Sequence, residues 1–458
     1  MMAGCLGGGG GGGGDNGDQG GDPTELPAVD LLTDYNNEGW QQQWENELVP
    51  AFEEETGISV DVEYSGRSGE QENRLATLIQ SGNPPDMNSS TFDQVADIWA
   101  SDQLATVNEV VDAAEDANGE MIVSPLTVDG DIWQVPHGYY ASDFHYREDV
   151  YEELGLDVPS SFQGVLDNAR AIDNSNLDIR GYGLAGGKVG KSQDEFQVHL
   201  AQMGVSSVGL RWKDPDAQNE LEIWWPEEEI TTLLQYFKDL SQYSPDPTSI
   251  GWAAAVQNYA SGQFAQQYHL NAYAPGVAVQ AGASEIGYNT GVKALPYWEE
   301  GGISQGDSWL WAPSPDGYQV FSNGDNTPGA KRFLEYLYGE TTERTGSLYS
   351  AFPARFLPAY GDVLQSDTFQ GYDFWQEGQN QQLLDQLEHV QDTIVADHYG
   401  KVPESNINDP VFLFVQRQWF YGEMINRVVT GTSSIQETYE WGREQLESRL
   451  EEGRNRFR

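Results

Sequence analysis

Cysteine is nearly absent. The 458-residue chain has one, at position 5, so no internal disulfide is available and the fold must rest on packing. Lysine is scarce too: Lys and Arg number 23 against 73 Asp and Glu, only seven of the 23 are Lys, and the formal net charge is −50. A nucleic-acid footprint needs a basic face, and this chain offers none, which excludes that partner. The six His are scattered without ligand spacing, so neither a metal nor another cofactor is expected. No run of about 18 apolar residues reads as a membrane-spanning helix. Repeats of about 20–50 residues are missing as well, which argues against a structural cell-surface array.

What is present points to a folded body. Apolar residues make up 38% of the chain and aromatics 12%, with 14 Trp and 23 Tyr, and the length suits two or three domains. The acids are spread along the whole sequence, a pattern that fits life in molar salt. There the Debye length falls to about 3 Å and carboxylate repulsion is screened. The same abundance makes chance carboxylate pairs common, so runs such as FEEET and PEEEI read as solvated helix surface.

The opening MMAGCLGGGGGGGGDNGDQGGD cannot form a core. Met2-Ala3-Gly4-Cys5 resembles the end of a bacterial or archaeal lipoprotein signal, in which small residues precede the cysteine that receives the lipid. That resemblance implies lipidation at Cys5. Residues 6–27 then read as a flexible tether reaching about 26 Å, enough to hold a body just off a membrane.

Order begins with Ala28–Leu32, a buried strand. Trp40, Trp44, Leu48 and Phe52 recur at i+4 as one helical stripe that stops at Gly57. ISVDVEY alternates as a half-buried strand, and ENRLATLIQSG is a helix ending at Gly82 before Pro84-Pro85. Such alternation means βαβ units. Val128-Asp-Gly-Asp131 is a tight hairpin turn, and Pro226 opens a long helix with acids in its first turn. GYGLAGGKVGKSQ is glycine-rich but lacks the spacing of a phosphate loop.

GNPPDM (82–87), ADIWASDQLATV (96–107) and DGDIWQVPHGYYASDFHYREDVYEELGLDVPSSF (129–162) carry a specific likeness. So, in order, do YASGQFAQQYHLNAYAP (259–275), ALPYW with GDSWLWAPSPD (294–316), GAKRFLEYLYG with FPAR (329–355), and VVTGTSSIQETYEWGREQLESRL (428–450). Together they resemble the extracellular solute-binding proteins of ABC importers, in particular the sugar-binding group that includes maltose- and glycerol-phosphate-binding proteins. The resemblance implies an α/β, two-lobe, periplasmic-binding-protein type II fold, each lobe a mainly parallel sheet flanked by helices. It implies a first lobe of residues 28–138 plus 288–346 and a second of 139–287 plus 347–458. The hinge crossings are expected near 136–143, 295–309 and 345–352. It also implies a monomer on the outer face of the membrane, lipid-anchored, that binds a sugar or oligosaccharide and hands it to permease subunits.

A sugar presents flat C–H faces ringed by hydroxyls, so its site needs aromatic platforms and short fixed polar groups. Strand-to-helix loops at the cleft supply the candidates: Asn36 and Glu38; Ser90 and Asp93; Tyr140 and Asp143; Asn271 and Tyr273; Asp307 and Trp309; and Arg355. Trp311 alternates with Trp309, so one of the two faces the cleft. A secreted glycoside hydrolase and a binder of a glycerophospho compound stay open as alternatives.

Overall fold

In the computed structural model, residues 27–66, 70–298, 315–396 and 407–457 are described. Two sheets organise the chain. The strands are β1 (Val29–Thr33), β2 (Val60–Tyr64), β3 (Met87–Thr91), β4 (Val135–Tyr139), β5 (Ser142–Arg147), β6 (Gln266–Leu270), β7 (Thr290–Ala294), β8 (Pro315–Val320) and β9 (Leu357–Pro358). The larger sheet runs β9-β4-β8-β3-β1-β2 and the smaller β6-β5-β7. This is the expected mixed α/β architecture of the type II binding-protein fold.

Local chemistry accounts for the first lobe. The Trp40, Trp44, Leu48 and Phe52 stripe is buried throughout. Its helix starts at Glu38, widens into a π turn over Trp44–Leu48 and continues over Val49–Thr56. Pro50 has no N–H to give the turn before it, and the ladder widens just ahead of it. Gly57 ends the helix at φ +74°, its N–H on the Glu53 carbonyl. β1 pairs in parallel with β2 and β3, the βαβ arrangement the sequence predicts. The hairpin turn is also found, with Val128 paired to Asp131 and positive φ at Asp129 and Gly130.

Both sheets depart from the expectation of mainly parallel strands. In the larger one β8 pairs antiparallel with β3 and β4, and β9 with β4. The smaller one has no parallel strand pair among the described residues. β5 pairs antiparallel with both β6 and β7. The chain leaves the larger sheet at Tyr139, passes through Tyr140 and Ala141, and runs outward on β5. It returns on β6 and β7, so both of their carboxyl ends point back at the crossing. A parallel neighbour is limited to residues 180–183, which bond to Gln263, Ala265 and Gln266 along the edge of β6.

Strand pairing also revises the expected lobe boundaries. Thr290–Ala294, placed in advance with the first lobe, pairs with Ser142–Arg147 in the smaller sheet. Leu357–Pro358, placed with the second, pairs with Val135–Tyr139 in the larger one. The C-terminal helices reach back to the first lobe, where Arg417 and Arg456 both bond Asp97 and Phe457 stacks on Trp99.

An unusually polar layer lies inside the second lobe. His145, His199, His269, Lys191, Glu195 and Asp143 are all buried. Burial pushes the His145 imidazole down to about 3 and His199 to about 4, and holds the Asp143 carboxyl well above the usual range. An unfolded His145 takes a proton near 6.5 and the folded one near 3, so between those values the unfolded state binds more protons. The stability from keeping this ring neutral is full above 6.5 and is lost as the pH falls. At pH about 4.5 the expected loss is about 2–3 kcal/mol. Unfolding curves for His145→Asn should show a pH dependence shallower by that amount. A slope unchanged from the parent's would contradict the assignment.

Candidate functional site

The site is built where strands end. β1 delivers Asp34, Tyr35 and Asn36 from its carboxyl end, β4 delivers Tyr140, and β6 delivers Asn271 and Tyr273. In open α/β sheets, such ends are where ligands bind. Between them lies a cavity of about 460 Å³, lined among others by Asp34, Asn36, Trp40, Tyr273, Phe352 and Arg355. That volume falls within the range of about 300–1,000 Å³ usual for small-molecule sites.

Aromatic rings form its walls. Trp40 comes from the first turn after β1 and packs on Tyr35 at 4.9 Å and Phe356 at 6.2 Å. Tyr273 opens the helix Tyr273–Gln280 and also lines the cavity, 5.4 Å from Phe352 and 5.5 Å from His269. Arg355 packs near both rings. Its Cζ is 4.5 Å from the Trp40 ring centre and 5.8 Å from that of Tyr273, and its Nε donates to the Tyr140 hydroxyl at 2.9 Å.

Of the sequence candidates, the structure therefore brings Asn36, Tyr273 and Arg355 to one cavity and ties Tyr140 to it through Arg355. Others have framework roles, which corrects their expected place at the ligand. Ser90 lies within β3, where its hydroxyl donates to Gln319 Oε1 at 2.7 Å across to β8. Asp143 is fully buried in β5. Asn271 is buried and pins three segments. Its Oδ1 accepts from Ala141 N at 2.8 Å, and its Nδ2 donates to the carbonyls of Tyr139 at 3.3 Å and Arg355 at 3.1 Å. Its φ of +44° is one that Asn tolerates. Glu38 sits on the exposed face of its helix and accepts from Gln42 at 3.1 Å. Cys5, Asp307, Trp309, Trp311 and the side chain of Asp93 lie outside the described residues.

Sequence reading missed two features. Trp40 reads as part of the core stripe, yet it also lines the cavity; its place in the first turn after a strand was the available signal. The second is a pair of indoles beside the glycine-rich loop. A Cβ built at Gly190 would lie 3.7 Å from Trp252 and 3.9 Å from Trp419, so both border the start of the helix Gly190–Gln202. Trp419 is 57% exposed, rare for so large an apolar surface. From Trp252 the rings continue through His269, at 5.4 Å, to Tyr273 and the cavity.

A larger depression of about 560 Å³ lies elsewhere, lined by Glu148, Glu285, Tyr288, Asp385 and several amides. One aromatic ring among acids and amides gives it no stacking platform. The described residues hold no group of three or more His, Cys, Asp or Glu suited to a metal, and none of their helices is long and apolar enough to cross a membrane.

Two sheets joined by strand crossings, with an aromatic cavity at their facing ends, define a two-lobe solute-binding protein. The family model for bacterial extracellular solute-binding proteins matches residues 37–343, and the chain belongs to that family. Solved structures share the fold. The GacH receptor of Streptomyces glaucescens, determined unliganded and with acarbose, is 16% identical over 93% of this chain and 99% of its own, with a TM-score of 0.69. Maltose-bound MalE3 of T. maritima is 17% identical over 92% of this chain and 99% of its own, at 0.70. A solute-binding protein of Thermotoga lettingae holding α-D-tagatose is 17% identical over 93% and 100%, at 0.68. A search among curated proteins returns no match.

Proposed function

We propose that this chain is the substrate-binding subunit of an ABC sugar importer. It captures a sugar or oligosaccharide between its lobes and delivers it to a membrane permease, without chemical change. The observation that carries this reading is that Trp40, from the end of β1, and Tyr273, from the end of β6, line one cavity of about 460 Å³. Two rings on separate lobes grip the apolar faces of a pyranose only when the lobes approach, so ligand contacts favour the closed state. The acarbose, maltose and tagatose held by structural relatives support the same class of ligand.

Hydrolysis is less well supported. Acid–base cleavage needs two carboxylates flanking the bond, and among the described lining residues of the cavity Asp34 is the one carboxylate. The glycine-rich start and Cys5 support a lipid-anchored body outside the membrane, and the dispersed acids support adaptation to molar salt.

A thermal-shift screen of mono-, di- and oligosaccharides in molar KCl tests the proposal, since a ligand of the native state stabilises by RT ln(1 + [L]/Kd). At least one saccharide should raise the melting temperature. Tyr273→Ala should weaken its binding about 10- to 100-fold, the worth of one buried aromatic side chain at about 1.5–3 kcal/mol. The half-buried ring should leave the fold intact. Equal affinity in the variant would remove Tyr273 from the site, and no stabilisation by any saccharide would overturn the proposal.

A further inference from the structure

Arg355 is out of keeping with the rest of the chain's charge. Acids outnumber bases 73 to 23, and described arginines typically hold a carboxylate: Arg147 on Asp149, Arg344 on Glu340, Arg417 on Asp97. Arg355 is 7% exposed and lines the cavity, yet no carboxylate lies within ion-pair distance of it among the described residues. Asp34 shares the cavity but is held by the Ser89 hydroxyl at 2.9 Å and stands beyond that distance.

A guanidinium carries five N–H donors in a planar fork. Nε spends one on Tyr140. The terminal nitrogens make no hydrogen bond to protein among the described residues, and they are not sealed from the cavity as the buried unpaired atoms elsewhere are. The faces of Trp40 and Phe356, with ring centres 4.5 and 4.8 Å from Cζ, offset part of the lost hydration. The two ring centres are 6.2 Å apart, so the rings flank the guanidinium from adjoining sides, and no described residue answers its terminal nitrogens. A nearly buried cation without a counter-charge is expensive, whereas the fork matches a carboxylate or phosphate in two parallel bonds.

We infer that the saccharide bound here is anionic, carrying a carboxylate or phosphate ester that docks on the Arg355 guanidinium while its ring packs against Tyr273. This rests on the sugar-binding reading and narrows it. The −50 charge disfavours approach of an anion at low ionic strength, but molar salt screens that distant field far more than a direct contact with a nearly buried guanidinium.

Calorimetry in molar KCl tests this with matched probes: glucose and galactose against glucuronate and galacturonate, and against glucose 6-phosphate. At least one anionic member should bind 10-fold or more tightly than its neutral partner, and whether the uronates or the phosphate lead identifies the anion. Arg355→Gln should erase that preference, and Arg355→Lys, which keeps the charge but not the fork, should retain part of it. Neutral sugars binding as tightly as their anionic partners to the parent protein would overturn the inference and leave sugar binding standing. Silence from every probe of both kinds, with the wider saccharide screen also silent, would remove both.

Discussion

Lys191→Met is expected to lower the free energy of unfolding by about 3–5 kcal/mol, the usual result of removing one partner from a buried ion pair. Lys191 and Glu195 are one turn apart on the helix Gly190–Gln202, neither is solvent-exposed, and their charged atoms lie 3.5 Å apart. Burial pulls the ammonium down and pushes the carboxyl up, so each is charged only at the expense of lost hydration. Other contacts offset that loss. Lys191 Nζ donates to the Tyr268 carbonyl at 2.8 Å and sits 4.4 Å from the Tyr268 ring centre and 5.1 Å from that of Trp252. Glu195 accepts from the Tyr182 hydroxyl at 3.1 Å and from Ala185 N at 3.2 Å. Methionine leaves the buried carboxylate without its counter-charge. Lys191→Met with Glu195→Leu should recover much of the loss, because the pair is replaced, not broken. Denaturant titration in molar salt checks both variants; a single-variant loss below about 1 kcal/mol would show the pair to be dispensable. Lys191 also lies over the Trp252 ring, so the single variant should loosen that indole as well.

Asn271→Ala is the second large effect. It removes three hydrogen bonds at once, one from Ala141 N–H and two to the carbonyls of Tyr139 and Arg355. Unsatisfied buried groups cost about 1–3 kcal/mol each, shared here among neighbours that can relax, so about 3–5 kcal/mol is expected. Alanine is also strained at the +44° φ that Asn271 adopts. Asn271→Gly removes the bonds without that strain and should fall short of alanine's loss by about 1 kcal/mol. Because Asn271 ties the crossing at Tyr139–Ala141 to the residue that carries the Arg355 guanidinium, both variants should also speed amide exchange across residues 139–141. Exchange there as slow as in the parent would mean that the staple is not what orders the crossing.

Much of this was legible in the sequence, for identifiable reasons. Period-4 Trp and Leu residues fixed the first helix, glycines at 57 and 82 marked its end and that of the next helix, and Asp-Gly marked the hairpin, because each is a local preference. The lining of the cavity was legible only where local position decides exposure, as at Asn36, Tyr273 and Arg355. Asn271 and Tyr273 are two residues apart in a loop of cleft-facing type, yet one is a buried staple and the other a wall. Which is which depends on a crossing strand far away in sequence. Ser90 and Asp143 were misplaced for the same reason, since pairing across sheets set their surroundings. Lys191 gave no warning at all: nothing local tells a surface lysine from one sealed against Trp252 and Tyr268.

Small-angle scattering of the full chain, with and without a saccharide shown by calorimetry to saturate it, bears most directly on the central claim. The two-lobe account requires that the radius of gyration contract on binding, as the walls carrying Trp40 and Tyr273 close on the ligand. Superimposable curves for the free and the saturated protein would contradict it.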